Sequence, residues 1–155
     1  MGKTMKHFYF LIFVILTGCA LKPPTHIQTI SLDKYQYMLI EKSAGITSIQ
    51  ASNGYASSRD VNPGSLIEGL LLKRGLIKVP SASPQTSGKL LLVNYGISGK
   101  RNIAGGLGGY AQEMTISLVD AERLSLVYSC TAEGIGSTEA DDIREAIMNC
   151  MSGLK

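Results

Sequence analysis

The chain has 155 residues, 45% hydrophobic and 17% charged, with a formal net charge of +3. That length suits one domain and is short for two, and the charge is too small for a nucleic-acid-binding stripe. Two histidines, three cysteines and no tryptophan leave a thin inventory for His-based catalysis or His-ligated metal.

Lys3 and Lys6 precede an uninterrupted apolar run from Phe8 to Leu16, the layout of a secretory signal peptide. A spanning helix needs about 20 apolar residues, and this run is about half as long. Leu16, Thr17, Gly18 and Cys19 resemble the bacterial lipobox. The resemblance implies a diacylglyceryl group on the Cys19 thiol, cleavage just before Cys19 and acylation of the new amine. Burial of acyl chains yields about 0.8 kcal/mol per CH₂, so two or three chains on one residue make a permanent membrane anchor. Ala20 stands where the inner-membrane retention signal has Asp. By that resemblance the destination is the outer membrane, facing the periplasm, with the inner membrane and the cell surface as alternatives. Removing the first 18 of 155 residues leaves 137, and losing Lys3 and Lys6 lowers the net charge from +3 to +1. No case for nucleic acid remains.

Residues 1–18 are thus read as a lipoprotein signal peptide, 19–30 as the lipidated cysteine with a tether, and 31–155 as one α+β domain. The tether expectation rests on Pro23, Pro24 and a lack of periodicity. At about 3.1 Å per residue it would hold the domain roughly 30 Å from the acyl chains. Tyr35 to Ile40 alternates as a strand. Lys42 to Asp60 is rich in Ser, Gly and Asn and reads as loop, with Ile46 to Ile49 a candidate short strand. Asn62-Pro63 opens a helix, with Asn at the cap and Pro at the first helical position, and Gly75 is placed to end it.

Leu76 to Val79 is a short strand, and the nearly continuous apolar sequence Lys89 to Ile97 suits a central one. Tyr110 to Val119 and Leu124 to Thr131 form a hairpin around Asp120 to Arg123. Met114, Ile116 and Leu118 alternate on one arm, and Leu124, Leu126, Tyr128 and Cys130 on the other, all expected on one face. The cover is a last helix from Glu139 to Ser152, capped by Thr138, with Ile143, Ile147, Cys150 and Leu154 at helical spacing. The fold class expected is α+β, an antiparallel-rich sheet of four to five strands with two helices packed on one face.

Gly99 to Gly109 is the glycine-rich segment. No Gly-Lys-Ser/Thr follows it and the glycines sit between strands, so it reads as a hairpin connection rather than a phosphate loop. Lys100, Arg101, Gly105, Gly106, Gly108 and Gly109 are the candidate contact residues for an acidic partner or lipid headgroup; the plain alternative is a solvated loop. Glu139, Asp141 and Asp142 fit helix capping better than a metal site. Glu133 is an isolated acid without an assigned role. With Cys19 taken by lipid, Cys130 and Cys150 are left in an oxidising compartment, as a bridge closing a loop of about 20 residues or as two buried thiols. Cys130 near a strand end and Cys150 far along the helix weigh against the bridge; the alternatives stay open. His26 is the one histidine left, in the expected tether, so no base is held beside a nucleophile and no cofactor or metal is expected.

Tyr35 to Ile40, the helix end Leu71 to Leu76, Leu90 to Tyr95, and the hairpin from Glu113 through Leu118-Val119-Asp120-Ala121 to Tyr128 resemble the small Gram-negative envelope lipoproteins of unknown function. These carry a leucine-x-aspartate-alanine hairpin before a final helix. The topology is similar to the accessory domains of penicillin-binding-protein activator lipoproteins and the amino-terminal domain of TolB. The resemblance implies no catalytic residue. The function expected is a non-enzymatic interaction or accessory module with an envelope protein as partner. Alternatives are a carrier for a lipid or other small hydrophobic ligand, and an enzyme with an unrecognised carboxylate site.

Overall fold

The computed structural model of the chain describes residues 21–41, 45–52, 55–103 and 109–155. Cys19, Gly105, Gly106 and Gly108 lie outside the described residues. Those described form, in order, β1 (Thr25–Gln28), β2 (Tyr37–Ile40), β3 (Ile46–Ser52), β4 (Tyr55–Val61), α1 (Pro63–Leu72), β5 (Ile77–Lys78), β6 (Leu90–Asn102), β7 (Tyr110–Asp120), β8 (Leu126–Gly134) and α2 (Glu139–Ser152). Six strands make one sheet in the order β1-β8-β7-β6-β2-β5, and β3 pairs with β4 as a separate hairpin.

The α+β class stands, but the sheet is larger than expected and mixed. β2 runs parallel to both β5 and β6, whereas β6, β7, β8 and β1 pair antiparallel. The crossover through α1 makes β5 parallel to β2, as a parallel pair requires.

Each helix begins where its cap requires. The Asn62 side-chain oxygen accepts from the Ser65 N–H at 2.9 Å, with Pro63 at the first helical position. Thr138 Oγ1 accepts from the Asp141 N–H at 3.2 Å. Ile67 and Leu71 of α1 and Ile143, Ala146, Ile147 and Cys150 of α2 bury into one cluster with Met38, Val93, Met114, Ile116, Leu118 and Tyr128 of the sheet. Each such aliphatic side chain contributes roughly 1.5–3 kcal/mol on full burial.

The strand pattern departs from expectation at one register shift, between Leu118 and Val119. Tyr128 and Cys130 keep the core face, opposite Leu118 and Ile116. Leu126 moves opposite Val119 and is 38% exposed, and Leu124 is 74% exposed, so neither joins the core.

Two segments expected to lack regular structure are strands. Thr25–Gln28 pairs with β8 from Thr131 to Tyr128, so this part of the expected tether is not free. All four residues of β1 are exposed, and backbone pairing rather than an apolar face holds the strand. Thr29 extends the attachment, its N–H donating to the Val127 carbonyl at 2.9 Å. β3 begins at the candidate short strand Ile46 to Ile49 but runs on to Ser52, and it pairs with β4 continuously from Ile46↔Val61 to Ser52↔Tyr55 across sequence otherwise read as loop. That hairpin docks on α2, where the Ala140 N–H donates to Ser48 Oγ at 3.0 Å and Arg59 reaches Asp141 at 3.2 Å.

Cys130 and Cys150 are joined as a disulfide, with Cα atoms 5.5 Å apart. The distance objection fails because chain directions cancel. Cys130 to Gly134 travels about 13 Å outward along β8, and α2 brings the chain back about 16 Å by Cys150. Close approach of the two elements requires Gly134, where a Cβ would collide with the Asp142 carbonyl oxygen and the Ala146 backbone nitrogen.

Candidate interaction surface at one end of the sheet

Strand register brings distant charged residues to one end of the sheet. Lys100 lies opposite Gln112, and Gln112 opposite Gly134. Extending the β1–β8 register by three residues sets Lys22 opposite Gly134 as well. The strands β6 and β7 then run on past this line to Asn102 and Tyr110.

Glu133 is the centre of this end. It is 3% exposed, on the sheet face away from the helices. Arg101 donates from Nε to one carboxylate oxygen at 3.0 Å and from Nη2 to the other at 2.6 Å. The Lys22 backbone N–H donates to the same carboxylate at 3.0 Å, and its ammonium lies 3.5 Å away. A register shift between Ile97 and Gly99 allows this, since it turns Arg101 to the face of Glu113 and Glu133. The Arg101 hydrogen bonds outweigh desolvation and lower the Glu133 pKa to about 2, with the Lys22 N–H helping. Glu133 is therefore not isolated: it ties the incoming chain to the β6–β7 hairpin.

On the other face of the same end, Lys100 Nζ sits 4.2 Å above the centre of the Tyr110 ring, which is 52% exposed. Beneath it Gln112 is buried and donates to the Gly99 carbonyl at 2.6 Å. The hairpin connection is held at its base, where the Ile103 N–H donates to the Gly109 carbonyl at 3.0 Å and Ile103 is buried. Gly109 has φ +89°, which a side chain rarely adopts.

The opposite end carries a second buried carboxylate. Asp120 accepts from the N–H groups of Arg123 and Glu122 at 2.9 and 3.0 Å, from Tyr35 Oη at 2.9 Å and from Lys34 Nζ at 3.2 Å. The Arg123 N–H is the largest cause of its pKa of about 2. The aspartate of the Leu-x-Asp-Ala hairpin is thus a turn-closing group. Near the disulfide, Tyr128 Oη donates to the Cys150 carbonyl at 2.6 Å and takes a hydrogen bond from His26 Nδ1 at 2.9 Å. Burial pushes the Tyr128 phenol up to about 12. Burial also raises the Asp142 pKa, although its carboxylate accepts from the Gly136 N–H.

Of the candidate contact residues, Lys100, Arg101 and Gly109 fall at the Glu133 end, while Cys130 and Cys150 form the strand–helix bridge inside the core. Lys22 and Tyr110 were not singled out by sequence, since only the register brings them to this end. Among the described residues no group of three His, Cys, Asp or Glu could hold a metal ion. No described helix is long and apolar enough to cross a membrane. Surface hollows include one of about 400 Å³ lined by Leu32, Tyr35, Arg74 and Lys155. Another, of about 340 Å³, lies between the helices against Leu70, Met148, Met151, Lys73 and Arg74.

No family model and no curated protein matches the chain. A PelC variant from Paraburkholderia phytofirmans, solved as a dodecamer, has a similar fold, with a TM-score of 0.51 over 84% of this chain and 95% of that one. At 13% identity the likeness is one of fold alone.

Proposed function

We propose that the chain is a lipid-anchored lipoprotein of the outer membrane facing the periplasm. It acts non-enzymatically as an interaction module of the cell envelope, and its partners include further copies of itself. The lipobox-like sequence ending at Cys19 supports the anchor, and the resemblance to small envelope lipoproteins supports the setting. The observation that carries self-association is the fold shared with PelC, which in that protein builds a dodecamer. The outer edge of β1, which no strand among the described residues pairs and where Ile27 is 53% exposed, offers backbone to a neighbour.

Crosslinking the native lipoprotein in cells, followed by mass determination of the detergent-solubilised protein, tests this. Crosslinked species at multiples of the protomer mass are expected. A monomer crosslinked only to a different envelope protein would remove self-association and keep the module reading. The hollow between the helices favours a second reading, a carrier for an amphiphile, because Leu70, Met148 and Met151 line it beside the cations Lys73 and Arg74. A monomer with no partner and co-purified lipid would establish that reading instead.

A further inference from the structure

We infer that the end of the sheet carrying Lys22, Lys100 and Tyr110 is a membrane-contacting surface, with Tyr110 in the headgroup layer and Lys100 and Lys22 on the phosphates of anionic lipids. The inference rests on the proposed anchor at Cys19 and goes beyond it, since an anchor alone leaves the domain free to tumble.

The length of the leash carries the inference. Lys22 is held by its backbone on Glu133, and only three residue steps separate it from Cys19. Three residues span at most about 11 Å. A headgroup layer is roughly 5–7 Å thick, so an acylated Cys19 keeps Lys22 at or just above the bilayer surface. The β6–β7 hairpin passes the Lys22 line at that same end of the sheet, and Tyr110 lies two residues, about 7 Å, beyond it. A domain held so closely must present some surface to lipid, and this end has the chemistry for it. Lys22 has 63% of its side chain exposed and Lys100 is exposed; of the two carboxylates paired across β7 and β8 here, Glu133 is already engaged by Arg101 and Glu113 accepts from Ser98 Oγ on the face away from Lys100. Tyr110 adds a half-exposed aromatic ring with a polar tip, the side chain that membrane interfaces favour. The β1 edge, the other surface near Lys22, carries Thr25, His26, Ile27 and Gln28, with no Lys or Arg in the strand.

The natural chain has no tryptophan, so Tyr110→Trp and, at the far turn, Leu124→Trp each supply a single indole reporter. Each mature lipoprotein is purified from membranes and reconstituted into phosphatidylethanolamine vesicles containing phosphatidylglycerol and lipids brominated at known depths. The expected result is a blue-shifted indole at position 110, quenched several-fold more than the one at 124, with Lys100→Glu reducing the difference. Equal quenching at both positions in protein that floats with the vesicles would overturn the contact and leave the anchor intact. Flotation of the Cys19→Ser protein as complete as that of the natural form would overturn the anchor, and the contact with it.

Discussion

At the scale of single residues, the two acids with pKa values near 2 link fold and pH. Glu133 falls from 4.5 and Asp120 from 3.8, each to about 2. Between those values the unfolded chain binds more protons than the folded one, so the stability they contribute is full above about pH 4.5 and is lost as pH falls toward 2. Asp142 acts in the opposite sense, because burial favours its protonated form in the fold and its contribution declines as pH rises through its raised value. Glu133→Gln keeps the shape and leaves Arg101 and Lys22 without an anion. The change should lower stability at pH 7 by about 2 kcal/mol, the scale of a charge-assisted hydrogen bond with a partly exposed partner. Urea midpoints at pH 7 and pH 3 check this: the gap between the natural protein and the variant should shrink in acid. A gap of the same size at both would mean that shape, not charge, is what the substitution removes.

At the scale of elements, the Cys130–Cys150 bridge joins β8 to α2 and closes a loop of sequence separation 20. Constraining that loop in the unfolded chain is worth about 3 kcal/mol, so reduction should lower the unfolding midpoint accordingly, and a thiol count on denatured, unreduced mature protein should find neither cysteine free. Two titratable thiols would refute the bridge. α2 itself was legible because each signal is local: a Thr cap, acids in the first turn and an apolar stripe at helical spacing all lie within Thr138 to Leu154. The β7–β8 hairpin was legible for the same reason up to Leu118, where one register shift put Leu126 on the open face. β1 was not legible, because a strand exposed at all four positions leaves no alternation to read. β4 hides in Ser-rich sequence, yet Asn53-Gly54 is the dipeptide that favours a two-residue hairpin loop, and the pairing Ser52↔Tyr55 spans those two positions. The Lys22–Glu133–Arg101 cluster joins β6, β8 and the segment entering β1 through a β-bulge, and no spacing along the chain encodes that contact.

At the scale of the whole molecule, the pairing of β1 takes up most of the expected tether of roughly 30 Å, so the anchor proposed at Cys19 would leave a leash of three residues, and this would constrain any assembly. A cyclic oligomer with its axis along the membrane normal sets every Cys19 on the same side, whereas dihedral symmetry would turn half of the anchors away from the bilayer. Self-association of a chain anchored as proposed should therefore be cyclic, with all the Lys22 and Tyr110 ends on one face. Leash length is also the variable to change. Inserting about ten Gly and Ser residues between Ala20 and Leu21 adds a root-mean-square reach of roughly 17 Å, more than twice the headgroup thickness. The lengthened protein should float with vesicles as before, because the acyl chains proposed on Cys19 would be untouched. Quenching of the indole in Tyr110→Trp should fall toward that in Leu124→Trp, since the domain is no longer pressed against the surface. Quenching that persists despite the longer leash would mean that Lys22, Lys100 and Tyr110 hold the lipid by their own affinity, and that the short leash only adds to it.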